Sequence, residues 1–163
     1  MPSRTGSTVI AMTSCVFMLW LSLSACITES RARGGSDLRT MPVMVGTRTI
    51  QASVAETVFS RIRGLLDWET IAENQGMLLD FETEGFYAIH MQGMKFPIDA
   101  VWIDGQGVVK LIYESIRPNS GLSYPSVFRC RYCLELKAGF CKEYNVAVGQ
   151  TVKFGSFPPE PGR

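Results

Sequence analysis

The chain has 163 residues, which is enough for one domain whose hydrophobic core folds without a disulfide or metal to hold it. Its 16 basic and 15 acidic side chains give a formal charge of +1, and neither sign forms a long run, which argues against a nucleic-acid partner. Apolar residues make up 46% and charged residues 19%, so neither a disordered nor a highly charged class of protein fits.

The first element is an uncharged apolar segment, VIAMTSCVFMLWLSL, at residues 9–23. It is shorter than the roughly 20 apolar residues that cross a bilayer, so it indicates a cleaved signal peptide over residues 1–25. The tetrad LSAC at 23–26 resembles the lipobox of bacterial lipoproteins, whose cysteine becomes the acylated first residue. That resemblance makes Cys26 the lipid anchor; ordinary signal-peptidase cleavage after Ser24 or Ala25 is the alternative.

The predicted signal peptide at residues 1–25 divides the rest of the chain into three predicted segments. Residues 26–41 read as the lipidated cysteine and a polar, glycine-containing flexible tether, 42–155 as a β-rich domain, and 156–163 as a disordered, proline-rich tail. We therefore expect a protein of the bacterial cell envelope, held to a membrane through Cys26 and facing the periplasm or the exterior. The sequence leaves the choice between inner and outer membrane open.

The domain begins with a predicted hairpin, residues 42–45 and 49–55, in which Ile50, Ala52 and Val54 alternate with polar residues. Thr57 then predicts the start of a helix with one apolar stripe, made of Val58, Ile62, Leu65 and Leu66. Gly64 interrupts this stripe, which suggests close packing at that point.

Short strand-like segments with turn residues between them follow at 77–81, 86–91, 98–103 and 108–116. Residues 117–126 read as a loop, 129–136 as a strand, 138–145 as a short helix and 146–154 as a final strand. Such closely spaced segments predict a mainly β fold: a single antiparallel β-sandwich or flattened barrel with one or two short helices.

Four segments resemble one family. RIRGLL at 61–66, GMLLDF at 76–81, IHMQGMKFPIDAVWID at 89–104 and RYCLELKAG at 131–139 look like the uncharacterised bacterial and archaeal family known as domain of unknown function 192. The resemblance covers residues 49–154 and implies a mostly β fold, but it brings no established reaction. Many members carry lysine and asparagine where this chain has Gln92 and Gly93.

Ionisable side chains in apolar surroundings mark a candidate pocket. Asp99 lies between Ile98 and Ala100, Glu135 lies between Leu134 and Leu136, and buried acids need partners. Backbone amides of a turn, or the side chains of His90, Arg61 or Arg131, are the available partners. The predicted pocket for a small ligand or for proton transfer consists of His90, Met94, Asp99, Glu135 and Arg61. The alternative is that the carboxylates only tie loops to the sheet.

The only histidine also lies close to two methionines. An imidazole and thioethers are ligands that Cu(I) prefers, so His90, Met91 and Met94 form a candidate copper site. Methionine is, however, ordinary core filler. We therefore predict no metal or other cofactor and keep copper binding as an alternative.

Three cysteines remain in the predicted domain: Cys130, Cys133 and Cys141. An odd number cannot all pair. In a strand, Cys130 and Cys133 would lie about 10 Å apart between Cα atoms, beyond the roughly 7 Å that a disulfide tolerates. Pairing of Cys141 with either of them stays open.

No enzyme signature accompanies these residues. The chain has one histidine, no GxSxG nucleophile motif and no glycine-rich phosphate loop. The sequence favours a domain that binds a small ligand or an envelope protein without turnover. An enzyme in which His90 works with Asp99 or Glu135 as an acid–base pair is the alternative from another class, and a copper-binding module is the third.

Overall fold

The computed structural model of this chain describes residues 38–155. The predicted leader, Cys26, most of the predicted tether and the tail 156–163 lie outside those residues. The first strand begins at Thr40, just before the predicted start of the domain at residue 42. Within residues 38–155 no helix is long and apolar enough to cross a bilayer.

The described part of the chain is mainly β with two short helices, as predicted. Its elements are β1 Thr40–Val45, β2 Arg48–Ala55, α1 Val58–Arg63, β3 Gln75–Gly85, β4 Ala88–His90, β5 Ile98–Ile103, β6 Val109–Ile116, β7 Ser123–Pro125, β8 Cys130–Lys137, α2 Phe140–Glu143 and β9 Lys153–Phe154.

The predicted hairpin is confirmed as β1 and β2, which pair antiparallel with Val43 opposite Ile50. Gly46 forms the turn with a φ of 58°, a backbone conformation that glycine adopts without the strain a Cβ would bring. Ile50, Ala52 and Val54 are all buried, which matches the alternation in the sequence.

Seven strands form one curled sheet in the order β6-β5-β8-β3-β2-β1-β9, and β4 and β7 form a separate two-stranded ribbon. The prediction of a purely antiparallel sheet is wrong at one pair, because β2 and β3 run parallel. Residues 56–74, which include α1, cross from the end of β2 back to the start of β3, and a parallel pair requires such a crossover. A sandwich of two stacked sheets is not confirmed by these strands.

Both faces of the central sheet are covered. One face packs into a cluster that includes Val43, Val101, Leu136 and Phe140 of α2. The opposite face packs against residues that follow α1 and against the β4–β7 ribbon, in a cluster that includes Leu65 and Ile89. All six residues of β5 are buried as a result, so this strand has an apolar environment on both sides.

Three predicted elements differ from the structure. The strand predicted at 86–91 is shortened to β4, because the Met94 amide donates to the Met91 carbonyl at 3.2 Å and closes a turn after His90. The predicted loop 117–126 contains β7, which gains its hydrogen bonds by pairing with β4. The final strand predicted at 146–154 is limited to β9, the part that reaches β1.

Candidate functional site

A cavity of about 290 Å³ opens where α1, β3, β4 and β8 approach one another. Most of its lining is aliphatic, with contributions from Val58, Ile62, Leu65, Leu79, Ile89 and Met94. Phe81 adds an aromatic wall, which is held in place by stacking on Tyr87 with ring centroids 4.0 Å apart. The charged or titratable side chains of the lining are Arg61, Arg63, His90 and Glu135.

The structure brings together four of the five residues predicted for a pocket. Arg61, His90, Met94 and Glu135 all line this cavity. They come from α1, the end of β4, the turn after it and β8, which are far apart in the sequence. Asp99 is not part of the lining, so the predicted pocket loses that member.

Asp99 lies on the other face of the sheet. It pairs with Leu136 across β5 and β8, and opposed residues point to the same face, so its carboxylate enters the cluster that contains Leu136. There it accepts hydrogen bonds from the amides of Ser115 at 2.7 Å, Gly139 at 3.1 Å and Cys141 at 2.9 Å. It ties β6 and the first turn of α2 to β5, which is the structural alternative drawn from the sequence.

Glu135 has the opposite environment. Its partner in β5 is Ala100, which places its side chain on the cavity face, where it is only 7% exposed. Among residues 38–155 no hydrogen bond or ion pair to its carboxyl group is found, and burial is the only cause of the shift in its pKa. Burial raises the pKa of Glu135 from 4.5 to about 7. At neutral pH this carboxyl group is therefore divided between its protonated and ionised forms.

Helix α1 forms the mouth of the cavity. Thr57 caps it as predicted, accepting a hydrogen bond from the Ser60 amide at 3.0 Å. The predicted apolar stripe is wrong for its first half, because Val58 and Ile62 are 65% and 67% exposed. The helix ends at Gly64, and Leu65 beyond it is the residue that enters the core.

Gly64 lies at the end of α1, beside Glu135 of β8. Its φ of 45° and ψ of −126° favour glycine, and a Cβ built at this position would lie 3.9 Å from Oε2 of Glu135. The close packing that the sequence suggested at Gly64 is not found, because a Cβ there would make only ordinary contacts at 3.5 and 3.9 Å; the positive φ is what favours glycine. Phe81, Ala88 and Ile89 were also missed as lining residues, since nothing in their local pattern distinguishes a cavity wall from a core.

Arg61 is held by the backbone. Its Nη1 donates to the carbonyl oxygens of Asp80, at 2.6 Å, and Glu56, and it lies 3.4 Å from Oε1 of Glu82. The guanidinium group also lies over the Phe81 ring at 5.5 Å. These contacts fix α1 against β3 and leave the Arg61 charge largely engaged.

The candidate copper ligands are only partly brought together. His90 is exposed at the rim, Met94 lines the cavity, and Met91 is buried in the core and lines no part of it. In residues 38–155 no group of three His, Cys, Asp or Glu side chains is close enough to hold a metal ion.

Cys130, Cys133 and Cys141 are all buried free thiols. Burial raises the pKa of Cys130 to about 11 and raises the pKa values of Cys133 and Cys141 above their usual range. Because the thiolate is the nucleophile, these three thiols are poorly suited to nucleophilic catalysis at neutral pH.

The family model for domain of unknown function 192, described as "Uncharacterized ACR", matches residues 41–154. The chain belongs to this family. The match spans all of the seven-stranded sheet except Thr40, and every residue that lines the cavity, so the cavity lies within the family's domain. No curated protein matches the chain significantly.

Two solved structures resemble this DUF192 domain. A proposed transcription regulator from Sinorhizobium meliloti 1021 is 24% identical with a TM-score of 0.67, and the alignment covers 71% of this chain and 92% of the other. A protein of unknown function from Novosphingobium aromaticivorans is 20% identical with a TM-score of 0.69, covering 72% of this chain and 87% of the other. At these identities the likeness shows the fold alone.

Proposed function

We propose that this chain is a lipid-anchored protein of the bacterial envelope that binds a small, largely apolar molecule in the cavity without turning it over. The observation that carries the proposal is a mostly aliphatic cavity containing one buried acid, Glu135, that has no partner in residues 38–155. Small-molecule sites typically combine an apolar lining with a few polar groups that orient the ligand.

Binding is favoured over catalysis by the state of the candidate catalytic groups. The described thiols are buried with raised pKa values, and both oxygens of Asp99 accept backbone hydrogen bonds. One observation favours an acid–base enzyme as a second candidate: His90 and Glu135 line one cavity, and a pKa of about 7 suits general acid–base work. Consumption of a bound compound, abolished by both His90→Gln and Glu135→Gln, would favour that second function.

The cavity itself is tested with benzyl alcohol as a neutral probe and the ring protons of His90 as the reporter. His90 is the only histidine in the chain, so its NMR signals are unambiguous, and it lies at the rim. We expect saturable shifts with a dissociation constant of about 1 mM, as suits a probe of this size.

The matched variants for this titration place tryptophan at two exposed alanines. Ala88→Trp fills the mouth of the cavity and should abolish the shifts, whereas Ala147→Trp lies in a loop outside the lining and should leave them intact. Unchanged binding in Ala88→Trp would contradict this location for the site.

The membrane anchor is supported by the uncharged segment at 9–23 and by the tetrad ending at Cys26. Several acyl chains at about 0.8 kcal/mol per buried methylene would give stable attachment. Intact mass of the protein purified from its host membrane should correspond to residues 26–163 plus a diacylglyceryl group and an amide-linked fatty acid. A mass that retains Met1, or an unmodified Cys26, would contradict the anchor.

A further inference from the structure

The buried acid of the cavity lacks a counterpart. Glu135 is 7% exposed, it lines the cavity, and in residues 38–155 no donor or cation that would bind its carboxyl group is found. Native proteins rarely bury an acid without a partner, because a buried carboxylate loses its hydration and gains nothing in return. The missing partner therefore indicates what a ligand has to supply.

The other charged groups around the cavity do not fill this role. Arg61 is engaged with two backbone carbonyls and Glu82, and Arg63 is paired with Asp67. His90 is exposed at the rim. The two arginines therefore already have partners and the histidine is exposed to solvent. Glu135 is the charged group of the cavity that has no partner in residues 38–155.

The space beside Glu135 allows a ligand group to reach it. Gly64 presents no side chain toward Oε2 of Glu135, and the surrounding walls are the aliphatic side chains of Leu65, Leu79 and Ile89. A molecule bound here would place an apolar body against these walls and its polar end at the carboxyl group.

Three kinds of polar end can be compared. An anionic group would be repelled by the carboxylate or would require it to be protonated, and a hydroxyl group would donate one hydrogen bond to the carboxylate but bring no countercharge. A protonated amine would supply both the countercharge and charge-assisted hydrogen bonds, which are about twice as strong as neutral ones. We propose that the cavity is specific for a protonated amine carried on a small apolar body, with the ammonium group bound by Glu135. This inference rests on the proposed function of the cavity as a ligand site.

The test compares three probes of nearly the same shape: benzylamine, benzyl alcohol and benzoate. Each is titrated into the full chain and into Glu135→Gln by isothermal titration calorimetry at pH 7. Charge-assisted hydrogen bonds of about 1.5–3 kcal/mol predict that the wild-type chain binds benzylamine at least about 10-fold more tightly than benzyl alcohol. The Glu135→Gln substitution should weaken the binding of benzylamine by a similar factor. It should change the affinity for benzyl alcohol by less than about 3-fold.

Proton release provides a second readout that a purely structural role for Glu135 would not produce. Because burial raises the pKa of Glu135 to about 7, binding of an ammonium group at pH 7 should release a measurable fraction of a proton, determined from the binding enthalpy in two buffers of different ionisation enthalpy. Glu135→Gln should release none. Arg61, Arg63 and His90 also line the cavity, so His90→Gln serves as a control and should retain the release.

The outcomes separate the two proposals. Equal or weaker binding of benzylamine relative to benzyl alcohol, preferential binding of benzoate, or unchanged benzylamine affinity in Glu135→Gln would overturn the amine specificity and leave a ligand cavity in place. Failure of all three probes to bind would overturn the cavity function as well.

Discussion

Two acids on neighbouring strands, Asp99 and Glu135, show how differently one sheet can treat the same functional group. Each is flanked by apolar residues, and their positions on β5 and β8 are offset by one residue, so they point to opposite faces. Asp99 is completely buried and accepts three backbone hydrogen bonds. Glu135 is almost as buried and faces a cavity without a partner in residues 38–155.

The difference lies in what covers each face. Over Asp99, the end of β6 and the turn into α2 present amide groups that match a carboxylate. Over Glu135, the end of α1 presents Gly64 and the surrounding side chains are aliphatic. A buried acid that the protein satisfies itself serves the structure, and one left unsatisfied in a cavity is available to a ligand.

The largest effect is expected from removing the satisfied acid. Asp99→Ala should lower the free energy of unfolding by about 3–5 kcal/mol, because three amides lose their acceptor and two of them join α2 to the sheet. Urea denaturation measures this directly. Asp67→Ala is the control: Asp67 pairs with Arg63 on the surface and its loss should change stability by less than about 1 kcal/mol. Similar losses in both variants would contradict the structural role of Asp99.

A smaller effect with the opposite sign is expected at Glu135. Its pKa rises from 4.5 in the unfolded chain to about 7 in the folded one, so the folded state loses stability relative to the unfolded state as the pH rises through this window. Glu135→Gln removes this cost and should become more stable relative to wild type by about 3 kcal/mol between pH 4 and pH 8. Urea unfolding of both proteins at the two pH values tests it, and a difference that does not change with pH would show that the acid is not buried as described.

Local patterns were sufficient for elements whose partners are near in the sequence. The β1–β2 hairpin follows from alternation around Gly46, and the start of α1 follows from Thr57. The ribbon of β4 and β7 was missed because Ile89 pairs with Tyr124, and nothing local marks β7 as a strand. The parallel β2–β3 pair was missed for a related reason, since the crossover through 56–74 is recognised as such only when its two ends are placed side by side.

The candidate site was predictable in composition but not in arrangement. That His90, Asp99 and Glu135 stand out among apolar neighbours is visible in the sequence, and so is the need of each buried acid for a partner. Val58 and Ile62 looked like core residues, yet both are exposed and line the cavity, because the face that α1 turns toward the sheet depends on tertiary packing.

By itself, the amino-acid sequence determined the mainly β character, the family, the helix start at Thr57 and the presence of two acids in apolar surroundings. Only the tertiary structure decided which acid is satisfied by backbone amides and which faces a cavity without a partner in residues 38–155. Alternation puts successive residues of a strand on opposite faces, but the pairing of β5 with β8 and the elements packed above each face are long-range choices. As a result of this pairing and packing, Asp99 accepts hydrogen bonds from three backbone amides, whereas Glu135 faces a cavity.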